Sequence, residues 1–410
     1  MTGARNRPRP ARTTDAHAAD ARRRDARWRG ALAVLDEMRR EPGVTRAAVA
    51  RRLGLGTGSA TEITARLRDL ALLAEVPAAT AGRGRPTTVL TPHPDGPVVI
   101  AVDLRQEDWR CAVAALDGRP EIVATGVHRS RDPEHVIDAV AGAVRRVHRR
   151  HGDRVRAVSV AAAATVQRGR VVQSSVLGWD AVDLAALAVE PGVPLLLGND
   201  ATFSGLAEAR QGVAAGAGTV LHVTVEVGVG GTLVAGGRPV DGATGAGGEF
   251  GHLPFGDPGL RCPCGARGCW DLMVDGRAIA RHLGEPPPRD PRTYAERALA
   301  RAPSDPAVRT AVGRAATGLA RGLAGLINAL DPAVVTLGGL AEPLRAAAEP
   351  EFGAALADGL MRFRRANPPP VVAATLGRDG ALHGAVVTAL DRFLTEEGLA
   401  SWAALRSPAR

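Results

Sequence analysis

The 410-residue chain contains no lysine, so all 52 of its basic side chains are arginine. Together with abundant alanine, glycine and proline, this usage reflects a GC-rich genome more than a structural demand. No stretch approaches the roughly eighteen consecutive apolar residues of a membrane-spanning helix, which excludes that class. The N-terminus, MTGARNRPRPARTTDAHAADARRRDARWRG, lacks the apolar centre of a secretory signal. A cytoplasmic protein without membrane insertion is expected. Residues 1–27 hold almost no large apolar side chains and cannot bury a core, so a disordered, Arg-rich tail is expected there. Cysteine is scarce as well: there are four, and three of them crowd into residues 262–269.

What is present is unevenly placed. Residues 1–95 carry 18 arginines against 10 acids, a net of +8, whereas the remaining 315 residues carry 34 against 33, a net of +1. Charge concentrated in the first quarter points to a polyanion partner, double-stranded DNA first among them. A solvated basic tail would give the same charge asymmetry.

Periodicity begins at Trp28. Trp28, Leu32, Leu35 and Met38 recur at helical spacing and predict a first helix ending near Glu-Pro-Gly. Thr45 is positioned to cap a second helix, with Val49 and Leu53 on one face. After Gly-Leu-Gly-Thr-Gly, the stretch SATEITARLRDLALL places Ile63, Leu67 and Leu70 together. This is the pattern of a helix-turn-helix, whose second helix lies in the DNA major groove. Thr57, Ser59, Thr61 and Arg66 are its candidates for base or phosphate contact. Two short β-prone stretches then flank Gly-Arg-Gly-Arg-Pro, which reads as a wing presenting Arg83 and Arg85 to a minor groove or to phosphates. A helical hairpin from another fold and an ordinary hairpin tip with two solvated arginines are the competing readings.

Cys262, Cys264 and Cys269 follow His252 at spacings of ten, two and five. Clustered cysteines in a cytoplasmic chain point to metal before disulfide, and a bridge within Cys-Pro-Cys would be strained. Gly265 and Gly268 permit the turns that gather three thiolates. With His252 as fourth vertex the set is a tetrahedral Cys3His zinc site, saturated and therefore structural. A redox centre is the runner-up, although no Cys-x-x-Cys active-site pattern is present. Cys111, in an apolar strand, reads as a buried small hydrophobe. Just upstream, Glu249 and His252 stand three apart among glycines that free their backbone to meet a ligand. Zinc on one imidazole nitrogen leaves the other facing that ligand.

At these residues the chain resembles the ROK family (repressors, open reading frames and sugar kinases) over roughly residues 28–395. GGEFGHLPFGDPGLRCPCGARGCWD is similar to that family's Gly-Glu-x-Gly-His and Cys-x-Cys-Gly-x-x-Gly-Cys-x-Glu signature. The resemblance implies zinc on His252, Cys262, Cys264 and Cys269. It implies a sugar held by Glu249 and His252, with Asn199 and Asp200 of the Asn-Asp pair in LLLGNDATFSGLAEA. Asp271 stands where the family has glutamate, one methylene longer, and Val176 where members often have asparagine. The implied fold class is α/β: an N-terminal winged helix-turn-helix followed by a two-lobed actin-like, ribonuclease-H-like domain. The apolar runs PVVIAVDL, CAVAAL, VRAVSVAAA, VPLLLGND, TVLHVTVEV and AVVTLGG, separated by helical segments, agree with it.

Two departures bear on activity. Family kinases hold ATP phosphates on Asp-x-Gly-Gly-Thr, and here the equivalent is VDLRQED, with Asp103 kept and the glycines replaced by Arg105 and Gln106. The second phosphate turn is EVGVGGT, with Glu226 at its first glycine, and a carboxylate there repels polyphosphate. Asp200, general base in the kinases, is retained and would then hydrogen-bond a sugar hydroxyl. A sugar-responsive DNA-binding repressor acting as a homodimer or higher homo-oligomer is expected, and a sugar kinase with an added DNA-binding domain is the alternative. A pocket that has lost its ligand is a third reading. Expected boundaries are 28–95 for the DNA-binding domain, 96–210 and 211–395 for the two lobes, and 396–410 for a tail.

Overall fold

The computed structural model describes residues 28–78 and 88–406. The chain divides into two compact units, one of Met1–Pro97, Ala115–Asp117 and Asp391–Arg410, the other of Val98–Ala114 and Gly118–Leu390. Among the described residues no helix is long and apolar enough to cross a membrane.

In the first unit, residues 28–40 form helix α1, followed by α2 (Arg46–Arg52), α3 (Thr57–Asp69) and an antiparallel pair, β1 (Leu73–Pro77) and β2 (Thr88–Pro92). This is the element order of a winged helix-turn-helix. Thr45 caps α2 as its sequence position suggests, its hydroxyl accepting the Ala48 N–H at 3.1 Å. Leu35, Met38, Val49 and Leu67 are buried beneath the helices. Glu37 of α1 accepts Arg52 at 3.1 Å and so ties α1 to α2, while the Leu90 N–H donates to the Val44 carbonyl at 2.9 Å and pins β2 below them. The Gly-Arg-Gly-Arg-Pro stretch with Arg83 and Arg85, like residues 1–27, lies outside the described residues.

The expected tail at 396–410 is corrected over most of its length. Glu396–Arg406 is a helix with Leu399 and Trp402 fully buried. The Trp402 indole N–H donates to the Leu70 carbonyl at 2.7 Å, just past the end of α3. A tryptophan removes a large apolar area from water, and its one polar atom needs this acceptor to be buried.

The second unit consists of two lobes with the same strand topology. In the first, β3 (Val98–Leu104), β4 (Asp108–Ala114) and β5 (Glu121–Val127) form an antiparallel meander. The helix α4 (Pro133–His151) leads to β6 (Val155–Ala162), a small hairpin of β7 (Thr165–Gln167) and β8 (Arg170–Gln173), and β9 (Leu195–Asn199). The sheet order is β5-β4-β3-β6-β9, with β3, β6 and β9 parallel. All seven residues of β3 are buried, as a central strand covered on both faces requires.

Helix α5 (Asp200–Arg210) then leads to the second sheet. There β10 (Thr219–Glu226), β11 (Gly228–Ala235) and β12 (Arg238–Pro239) again form a meander. The helices α6 (Gly276–Leu283), α7 (Pro291–Arg301) and α8 (Pro306–Leu330) precede β13 (Val334–Gly339). Three further helices, α9 (Ala341–Ala347), α10 (Glu349–Gly359) and α11 (Arg362–Ala366), precede β14 (Val371–Ala373), and α12 (Gly380–Phe393) follows. The order β12-β11-β10-β13-β14 repeats that of the first lobe. The α8 stretch read as a long helix before DPAVVTLGG runs 25 residues, and its apolar stripe fills the second core against Leu221, Val223 and Trp270. One boundary moves: α5, expected with the first lobe, packs on the second sheet, where Gly205 leaves no room for a side chain beside His222 and Thr232.

Candidate functional site

Between the lobes lies a cleft of about 210 Å³, lined by residues from both sheets and from the starts of α5, α7 and α12. It brings together the expected ligand residues Asn199, Asp200, Glu249, His252 and Asp271, with Val176 as an apolar wall.

Asn199 ends β9 and caps α5. Its amide oxygen accepts the Thr202 N–H at 3.0 Å and its amide nitrogen donates to the Ala164 carbonyl at 3.1 Å, so it joins strand, helix and the β6–β7 loop. Asp200 opens α5, and one of its oxygens accepts the Ala201 N–H at 2.8 Å. Burial, reinforced by the charges of Asp103 and Glu249, pushes its carboxyl up to about 7. Glu249 precedes and His252 ends a single 3-10 turn, with carboxylate and imidazole Nε2 3.8 Å apart.

The same imidazole turns its Nδ1 toward Cys262 Sγ, 3.8 Å away. Cys264 and Cys269 sulfurs are 3.7 Å apart, and all four donor atoms lie within 4.8 Å of one another. Thiolates bound tetrahedrally to zinc at 2.3 Å stand roughly 3.8 Å apart, so the donor set fits that ion. Gly265 and Gly268 take the positive φ values of +98° and +67° that the knuckle needs. Without a cation the site is unfavourable to charge: burial first, then the neighbouring thiols, pushes Cys269 up to about 12. Trp270, next in the chain, anchors the knuckle, being wholly buried with its indole N–H on the Gly318 carbonyl of α8 at 2.8 Å. Cys111 is buried in β4, as expected, and its thiol is pushed up to about 12 by that burial.

Asp271 is less free than its expected ligand role requires. One oxygen accepts the Val229 N–H at 2.6 Å and the other accepts Arg277 at 3.1 Å. It touches the cleft but acts mainly by pinning the β10–β11 turn, where Gly228 (φ +105°) leaves its carboxylate the space a Cβ would fill. Arg277 is held in turn by Asp275 at 2.6 Å.

The opposite half of the cleft carries the replaced glycine turns. Arg110 of β4 donates to Asp103 at 2.8 Å and to the Arg378 carbonyl at 2.7 Å, and also pairs with Asp379. Arg105 donates to Asp108 at 2.6 Å and lies 3.8 Å from Asp103. Glu226, at the end of β10, is ion-paired with Arg292 of α7. The residues standing at the two expected phosphate turns are thus engaged in ion pairs. Arg110, Arg292 and Arg378 went unrecognised in the sequence, because their partners lie in remote segments and no local motif marks them.

On α3, Thr57, Ser59 and Thr61 are exposed, and the Thr61 hydroxyl donates to the Thr57 carbonyl at 2.8 Å. Arg66 differs from expectation. Its guanidinium lies 4.2 Å over the Trp28 ring, where stacking and partial burial hold it against α1 instead of projecting it outward.

Comparison with known proteins gives these features a context. The model of the ROK family matches residues 99–392. A glucokinase of Streptomyces coelicolor is 32% identical over 177 residues, 42% of this chain and 55% of that enzyme, so the chain spans about half of that relative's length. A kanosamine kinase of Amycolatopsis mediterranei is 33% identical over 261 residues, covering 62% of this chain and 84% of the relative. Among solved structures, a ROK family transcriptional regulator described as a homolog of the E. coli MLC protein superposes with a TM-score of 0.71. It does so at 21% identity, covering 92% of this chain and 99% of its own, a likeness of fold. Sugar kinases and a regulator are thus both among the proteins it resembles.

Proposed function

The chain belongs to the ROK family, and on that premise we propose that it is a sugar-responsive, DNA-binding transcriptional regulator, a repressor of carbohydrate uptake or catabolism genes. One observation carries the reading. Where phosphate-binding glycine turns are needed, Asp103 is locked by Arg110, Arg105 is paired with Asp108, and Glu226 is paired with Arg292. A polyphosphate entering this half would meet carboxylates and displace established ion pairs.

Asp200 and Glu249 face the cavity as acceptors, and the imidazole of His252 presents Nε2 to it. His252, Cys262, Cys264 and Cys269 would hold zinc, which would supply a structural clamp and leave no ligand position for an activated water. The protein's own residues then fix the pocket, with Trp270 tying the knuckle to α8 and Asp271 tying it to the β10–β11 turn. A sugar bridging the lobes favours their closed arrangement by its differential contacts, and that bias alters operator affinity in a homodimer. DNA contact is assigned to Thr57, Ser59 and Thr61 on α3, with Arg83 and Arg85 of the wing adding phosphate contacts.

A gel-shift series across the upstream genomic region tests this reading. A specific, salt-sensitive complex that a sugar weakens supports it, and absence of any specific complex defeats it. The sugar-kinase alternative rests on Asp200, whose carboxyl near 7 suits a general base. A coupled assay with ATP and a hexose panel separates the two.

A further inference from the structure

The charge inside the cleft narrows the class of ligand, an inference that rests on the sugar reading above. Seven of the side chains lining the cavity are carboxylates and three are arginines. Two of those arginines are neutralised within the wall, Arg105 by Asp108 and Arg292 by Glu226 and, at 3.1 Å, by Glu296. Asp103 and Asp271 are held from behind by Arg110 and Arg277. Toward the cavity this leaves the carboxyl groups of Asp200, Glu249 and Glu107 against Arg378 alone, an excess of acidic over basic groups that becomes negative charge as they ionise.

Three further observations sharpen the point. The second oxygen of Asp103 is buried with no hydrogen-bond donor, so Arg110 satisfies only half of that carboxylate. Asp200 accepts the Ala201 N–H, and the charged side chains that act on it, Asp103 and Glu249, are both acids. Glu107 lies against another acid, Asp290, and the field of Arg292 offsets that only in part. A neutral sugar brings hydroxyl donors and leaves the excess charge in place. A phosphorylated or carboxylated sugar adds to it. An ammonium group supplies a positive charge and three donors at once.

We propose that the cleft selects an amino sugar, a monosaccharide whose protonated amine docks on Asp200 in the field of Asp103 and Glu249. The cavity of about 210 Å³ suits one small ring rather than a sugar nucleotide.

Calorimetry on the full, zinc-loaded chain tests this with glucose, mannose and galactose. Each is supplied as the neutral parent, as its free amines, as the N-acetylated amine and as the 6-phosphate. At least one free amine should bind about tenfold or more tighter than its parent. Acetylating that amine should remove the gain, and the phosphate esters should bind more weakly than their parents. In Asp200→Asn the preference for the amine over its parent should shrink to within about twofold. Neutral sugars that match or exceed every amine, or tighter binding of a phosphate ester, would overturn the inference while leaving a sugar sensor in place. No heat from any member would instead overturn the sugar reading itself.

Discussion

Arg110 Nη2 lies 2.8 Å from Asp103 Oδ2, and both side chains are almost wholly buried. The pair joins β4 to β3, and through Asp379 and the Arg378 carbonyl it reaches the start of α12. It leaves the Asp103 carboxyl raised above its ordinary range, because burial outweighs the arginine's pull.

Removing one partner of that pair leaves the other stranded. Arg110→Ala should destabilise the second unit by roughly 3–5 kcal/mol, the usual cost of an uncompensated buried charge. Denaturant unfolding would measure it, and a loss below about 1 kcal/mol would show that the pair contributes little.

Cys264→Ser replaces a thiolate with a poor zinc ligand. Metal affinity should fall by more than about 100-fold, and the purified variant should lose its zinc on dialysis. Elemental analysis finding one zinc per chain would contradict the assigned ligand set.

Asp200→Asn should reverse the usual sign of a polar substitution. The folded-state carboxyl titrates near 7, well above its unfolded value, so the folded form holds more protons between about pH 4 and 7. Stability therefore falls as pH rises through that window, and the whole penalty is present above it. The asparagine variant should gain on the order of 1–3 kcal/mol relative to wild type at pH 8, discounted for the open cleft, and almost nothing at pH 4. Thermal melts across that range would check it. An advantage independent of pH would exclude Asp200 as its source.

Trp402→Ala opens a cavity beside the end of α3 and removes the donor to the Leu70 carbonyl. A loss of about 3–5 kcal/mol is expected in the unit that carries the helix-turn-helix, with operator binding falling alongside it. Unchanged melting and unchanged DNA affinity would return residues 396–406 to the status of a tail.

Local chemistry was legible in the sequence and long-range pairing was not. The Thr45 cap, the His252–Cys269 metal cluster and the apolar runs of both sheets each follow from spacing within a few residues. The pairing of Arg110 with Asp379 joins positions 269 apart, and the Glu226–Arg292 pair joins a strand end to a helix start. Neither leaves a mark on local pattern. Asn199 and Asp271 were expected as ligand groups from the family resemblance, and the sequence carried no sign that Asn199 also bonds the Thr202 N–H and the Ala164 carbonyl, or Asp271 the Val229 N–H and Arg277. Residues 396–406 looked like a tail because one short amphipathic turn after α12 gives no clue to the acceptor that Trp402 finds.

We propose that the ion pairs lining one half of the cleft leave no seat for the polyphosphate of ATP, so that the chain senses a sugar without phosphorylating it. A coupled assay with millimolar Mg·ATP, the zinc-loaded chain and a panel of neutral and amino hexoses tests it most directly. No turnover above background with any sugar is the predicted result. Sustained phosphorylation of even one sugar would contradict it.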